Sequence, residues 1–195
     1  MANLNVAFGL KPVRRTHGAA SNFNAREYFV PSTDATALFI GDPVIMAGSA
    51  DATLTAATVT RATAAGGNRI TGIVVGFRPS DAINAVGYRA ASTNAYVLVM
   101  DDPDQLYEIQ DDSVGGNLAA ADIGLNADLV AGTGNAATKR SGFMLDTSTK
   151  ATTATLQCRI MGLQDRADVE VGANAKVLVR LNLTTETGAA GSTGI

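Results

Sequence analysis

The 195-residue chain has a formal net charge of −3, one cysteine, one histidine and no tryptophan. These counts exclude an intramolecular disulfide and a zinc site of ordinary ligand type within one chain. The acidic balance argues against a general nucleic-acid binder, which needs a basic field. Charged residues make up only 17 % of the chain, against about a quarter in a typical soluble domain, as in a surface partly covered by other subunits or in an Ala/Thr/Gly-rich β protein.

Residues 1–26 hold Lys11, Arg14, Arg15 and Arg26 and no carboxylate. Leu4, Val6, Phe8, Leu10, Val13 and Phe23 appear singly, and no strand or helix period is sustained. Such a tract buries too little apolar surface alone to offset its ordering entropy. It is expected to be an extended N-terminal arm, either loosely attached or lying across a neighbouring subunit. The contact residues expected are Phe8, Lys11, Arg14, Arg15, Phe23 and Arg26. The start lacks the charged-then-apolar pattern of a secretory leader, and no run approaches the roughly 20 apolar residues of a membrane span. Synthesis in a cytoplasm, with no membrane partner, is the expectation.

From Glu27 the strand signals become regular. Glu27–Pro31 comes first, then Leu38–Met46, Leu54–Thr60 and Ile70–Phe77, with Gly41, Gly72 and Gly76 marking bends or bulges. Pro79, Ser80 and Asp81 read as a turn. Gly87–Ala91 and Ala95–Asp101 follow, and then Gln105–Gln110, which alternates. Gly115–Leu125 is the best candidate for a helical turn, capped by Asn117 and ended by Gly124. Strands are expected over Ala127–Ala131, Phe143–Asp146, Ala154–Gly162 and Lys176–Leu183, the last as a half-buried edge or sandwich strand. RITGIVVGF weakly echoes LQCRIMGLQDR, a match too short to establish a repeat. The expected fold is all-β: a small β-barrel, β-tulip-like or sandwich body over residues 27–186 with little helix. A flexible tail, 187–195, follows.

Candidate chemistry is sparse. Asp101, Asp102, Asp104, Glu108, Asp111 and Asp112 form one acidic loop, with no Lys or Arg between Ala90 and Thr138. Their spacing lacks the order of a calcium loop, and the scarcity of aromatics disfavours a sugar cleft. A solvated loop or an inter-subunit partner for basic groups is expected. The arm is its complement in sign, so the two suit a self-association contact. Gly132-Thr133-Gly134 mimics a dinucleotide fingerprint but leads into a turn, not a helix. Cys158 lies in an apolar run and reads as a buried, inert thiol. No catalytic, metal or cofactor-binding residue is assigned, and no enzyme signature is present.

Several stretches together resemble tailed-bacteriophage head decoration (cement) proteins. They are FGLKPVRR, ATALFIGDPVIMAG, ITGIVVGFRP, YRAAS, VLVMDDPDQLYEIQ, IGLNADLVAGTG, SGFMLD and AKVLVRLNLTTE. The resemblance runs from about Phe8 to Glu186. It implies a structural virion protein on the outer capsid surface, binding where major capsid protein subunits meet and stiffening the shell against packaged DNA. It also implies a homo-oligomer, a trimer more than a dimer. Another virion assembly component (capsid or head–tail joining protein) and a carbohydrate- or ion-binding β module using the acidic loop stay open as alternatives.

Overall fold

The computed structural model describes residues 3–17, 24–53, 55–164, 166–167, 169–186 and 191–194. It is nearly all β, with two sheets. The first is a closed barrel of β2 (Arg26–Val30), β3 (Pro43–Ala50), β4 (Ala57–Arg61), β5 (Gly72–Phe77) and β6 (Ala95–Met100), in the order β2-β4-β3-β5-β6. Alternation along these strands turns Tyr28, Val30, Val44, Val59, Val74, Val97 and Val99 into one interior cluster. β-Branched residues at alternate positions suit this, since each strand must bury one face only.

The second sheet contains β1 (Lys11–Arg15), β7 (Gln105–Gln110), β8 (Asn126–Val130), β9 (Met144–Ala151), β10 (Cys158–Leu163) and β11 (Lys176–Leu181), in the order β1-β7-β11-β10-β8-β9. It curls until β7 and β9 meet through a parallel bridge between Asp111 and Leu145. Asp112 N then donates to Leu145 O at 3.0 Å. Tyr107, Ile109, Cys158, Ile160, Val177, Val179 and Leu181 fill the inside of the curl.

The second sheet repeats the first. In each, five consecutive strands follow the same order and senses, closed by a parallel contact of the first strand with the third (β2 with β4, β7 with β9). Gly41 N donates to Val74 O at 2.8 Å, and Gly124 N to Ile160 O at 2.9 Å. Val74 N donates to Asp42 O at 2.9 Å, and Ile160 N to Leu125 O at 2.9 Å. The two turn glycines match in conformation, φ +96° at Gly41 and +97° at Gly124. Each fourth strand has its register break before a glycine, Gly76 or Gly162. Hence the echo between RITGIVVGF and LQCRIMGLQDR is one part of an internal repeat, with GDPVIMAG against GLNADLVA and YVLV against KVLV as further parts.

Several element-level expectations are revised. Lys11–Arg15 is a sheet strand paired with β7, and Leu10 is buried in the second core, so the compositional break at residue 26 is not a structural one. Lys176–Leu181 lies in the middle of its sheet between β7 and β10, not at an edge. All six residues of β7 are buried: β1 pairs along its edge, and Asn5, Val6, Lys11 and Arg166 meet the side chains of Glu108 and Gln110 on the face opposite Tyr107 and Ile109. The helix is α1 (Asp81–Val86): the Ser80 hydroxyl caps it by accepting from Ile83 N, and Gly87 ends it at φ +74°. Around Gly115–Leu125 there is a single 3-10 turn, Ala120–Asp122.

The repeats join through apolar and polar contacts. Ile73 and Met100, facing out of the barrel, belong to the cluster that fills the second sheet. The loop between β8 and β9 reaches back to the barrel, where Ile40 N donates to Lys139 O and Ser141 N to Ile40 O. Gly134 lies so close to the Phe39 ring that a Cβ would sit 2.1 Å from it. The glycines that imitate a nucleotide loop serve this close approach.

Candidate interaction surface

The basic leading segment and the acidic loop meet within one chain. Register places Arg14 and Arg15 of β1 beside Leu106 and Gln105 at the start of β7, just after the Asp101–Asp104 turn. Arg15 Nε lies 2.9 Å from an Asp102 carboxylate oxygen, and Arg26 Nη1 lies 3.3 Å from Asp101. Tyr28 donates to Asp101 at 2.9 Å. His17 and Arg180 both approach Asp104 at 3.9 Å. Tyr28 is buried, but the charged side chains are partly or largely exposed, and such ion pairs contribute about 0–1 kcal/mol each. They orient the loop more than they stabilise the fold.

Glu108 differs. Its side chain is 3 % exposed, with Arg166 Nη1 at 2.9 Å and Lys11 Nζ at 3.7 Å. Phe8, Lys11, Glu108, Arg140 and Arg166 line a depression of about 280 Å³ with three cations to one carboxylate. Phe23 lies outside the described residues.

Asp111 and Asp112 belong elsewhere, at the closure of the second sheet. Asp112 accepts from the backbone and hydroxyl of Thr147, at 3.1 and 3.0 Å. Asp111 is fully buried and accepts from the Ser113 hydroxyl at 2.9 Å, while its second oxygen has no hydrogen-bond partner. Burial pushes its carboxyl above the ordinary value, as it does for Asp42 and Asp128. Among the described residues no three His, Cys, Asp or Glu side chains gather to hold a metal ion. Cys158 is fully buried, and burial pushes its thiol up.

Arg89 escaped sequence reasoning altogether. Its guanidinium is fully buried and donates to the carbonyls of Pro31 at 2.8 Å, Asp34 at 2.7 Å, Thr93 at 2.9 Å and Thr36. The Asp34 carboxylate is 3.7 Å away. It ties the loop after β2 to the loop before β6. The motif YRAAS carried no signal for this beyond an arginine among small residues.

Large apolar side chains are exposed at one end of the second repeat: Leu4 (76 %), Val6 (57 %), Val114 (60 %) and Val171 (52 %). Hydrogen bonds fix the segments that carry them. The Asn3 amide donates to the carbonyls of Glu170 and Ala173, both at 2.9 Å, and Val6 N donates to Gln110 Oε1 at 2.8 Å. Asn174 N donates to the Ser113 hydroxyl at 2.7 Å. The region as a whole presents paired charges and exposed apolar side chains. No family model matches the chain, and neither a curated protein nor a solved structure matches it.

Proposed function

We propose that the protein is a structural virion component that decorates the outer surface of a phage capsid and cements neighbouring major capsid subunits. The observation that carries this reading is the exposed apolar set Leu4, Val6, Val114 and Val171, held in place at one end of a mostly sheet-built body. Apolar residues so grouped are matched to a covering surface. The resemblance to decoration proteins, which runs over both repeats, supplies the identity of that surface. On this reading the partners are the major capsid protein and further copies of this chain. Contacts made only with the assembled shell stabilise it by mass action, and repetition over a closed lattice multiplies weak contacts through effective concentration. The protein acts by covering area, not by catalysis.

The test is to purify full heads and quantify this chain against the major shell protein. Copy numbers of the same order, with heads lacking the chain rupturing more readily on heating, are expected. Recovery of the chain only in the unassembled fraction would contradict the proposal.

A further inference from the structure

We infer that the outer face of the β1-β7-β11-β10 sheet, centred on Arg159 and Arg180, docks an acidic protein surface. It rests on the reading above only for where that partner is found.

Register places one row across four strands. Arg159 of β10 pairs with Arg180 of β11, Arg180 with Leu106 of β7, and Leu106 with Arg14 of β1. Residues so aligned point to the same face of a sheet. Three of the four are arginines, and like charges directly opposite one another cost stability. The cost is only partly relieved. Arg159 donates to the Asn126 amide oxygen at 3.2 Å and to the Thr193 carbonyl. Arg180 donates to the Pro103 carbonyl at 3.3 Å and lies 3.9 Å from Asp104. The row borders a depression of about 280 Å³ lined by Arg14, Arg15, Thr16, Leu106, Met161 and Leu178. Leu106 and Leu178 form its buried floor, and Met161 is exposed beside them. Arginine and methionine around an apolar floor are the composition of a protein interface.

The internal repeat adds an independent argument. Arg159 and Arg180 pair as Ile73 and Met100 do, and Met161 stands in the register break where Val75 stands. Ile73 and Met100 are buried in the junction with the second repeat, and Val75 packs against the same cluster. The molecule already uses this face of one repeat as an interface. On the other repeat two arginines stand in place of the apolar pair, half-exposed among the described residues, with Ser192 and Thr193 at the Arg159 end. The matching partner therefore carries carboxylates rather than leucines. A nucleic-acid backbone fits less well, because it needs a broad basic field and the chain carries a formal net charge of −3, whereas a protein surface can place single carboxylates against the arginines and clear of Glu108, Asp102 and Asp104.

The experiment is a fluorescence anisotropy titration at low ionic strength with a labelled oligoglutamate peptide, and in parallel with a labelled DNA duplex. The wild-type chain should bind the peptide more tightly than the duplex, and added salt should weaken binding. R159Q/R180Q should lose about tenfold in peptide affinity, and R14Q a smaller factor, while R69Q/R78Q, which removes as much charge from the first repeat, should stay near wild type. R159Q/R180Q should melt no lower than wild type, and R14Q tests the face without touching the arginine pair. Equal losses in the double variants, no peptide binding, or tighter binding to the duplex would overturn the inference. The decoration reading fails separately, if the wild-type chain is missing from purified heads.

Discussion

Arg89 shows how much of the first repeat depends on one side chain. Four backbone carbonyls converge on a guanidinium without solvent contact. Replacing it with leucine takes away the donor that the Thr36 and Thr93 carbonyls share, while the Pro31 and Asp34 carbonyls keep Asp34 N and Ser92 N and the Asp34 carboxylate keeps Thr36 N and the Thr60 hydroxyl. Each buried unsatisfied group costs about 1–3 kcal/mol, so with two carbonyls orphaned R89L should lose at least about 2 kcal/mol in urea denaturation. R89K should recover little of it, because an ammonium cannot reproduce the planar fork.

Asp111 sets the direction of a pH effect. Its folded carboxyl titrates above 3.8, as do those of Asp42 and Asp128. The folded state therefore holds protons that the unfolded chain has released. The stability from this is complete below about pH 3.8 and is lost as pH rises through the raised folded values. Asp122, lowered by Lys150 despite its desolvation, acts oppositely and loses its contribution on acidification. D111N removes one of the raised groups, so its urea midpoint should gain on wild type between pH 4 and pH 7. A constant gap across that range would show that Asp111 does not titrate as described.

At the scale of elements, the leading segment is the main lesson. Its charges and isolated apolar residues describe an arm, and composition cannot reveal that β7 offers an edge with matching register about ninety positions later. Leu10, 1 % exposed among the second core, is the anchor that makes docking measurable. L10A should cost about 2–5 kcal/mol; unchanged stability would mean that the segment is not part of the folded body. Strand existence was legible from β-branched alternation at β5, β6 and β11, which is local information. Partners were not, because strand pairing is non-local. The helix Asp81–Val86 was hidden by its six-residue length, although Ser80 and Gly87 carry its start and stop signals. The acidic loop was legible as a cluster. Its division, with Asp101–Glu108 facing basic groups and Asp111–Asp112 closing the second sheet, was not.

At the scale of the molecule, the internal repeat organises the rest. The all-β class could be read from strand spacing, but the repeat was masked by loops of unequal length and by residues that changed character. Where the first repeat has Ile73 and Met100 the second has Arg159 and Arg180, so the sequence match breaks at equivalent positions. One unit packs its outer face against its neighbour, and the other carries half-exposed arginines on that face. The account as a whole claims that this body covers neighbouring subunits on a shell. Cryo-electron microscopy of full heads, at a resolution that separates strands, tests this most directly. The account predicts density for both repeats on the outer surface, bridging adjacent capsomers, with Leu4, Val6, Val114 and Val171 buried in a contact. Heads bearing no such density, or density with that end of the molecule wholly in solvent, would contradict it.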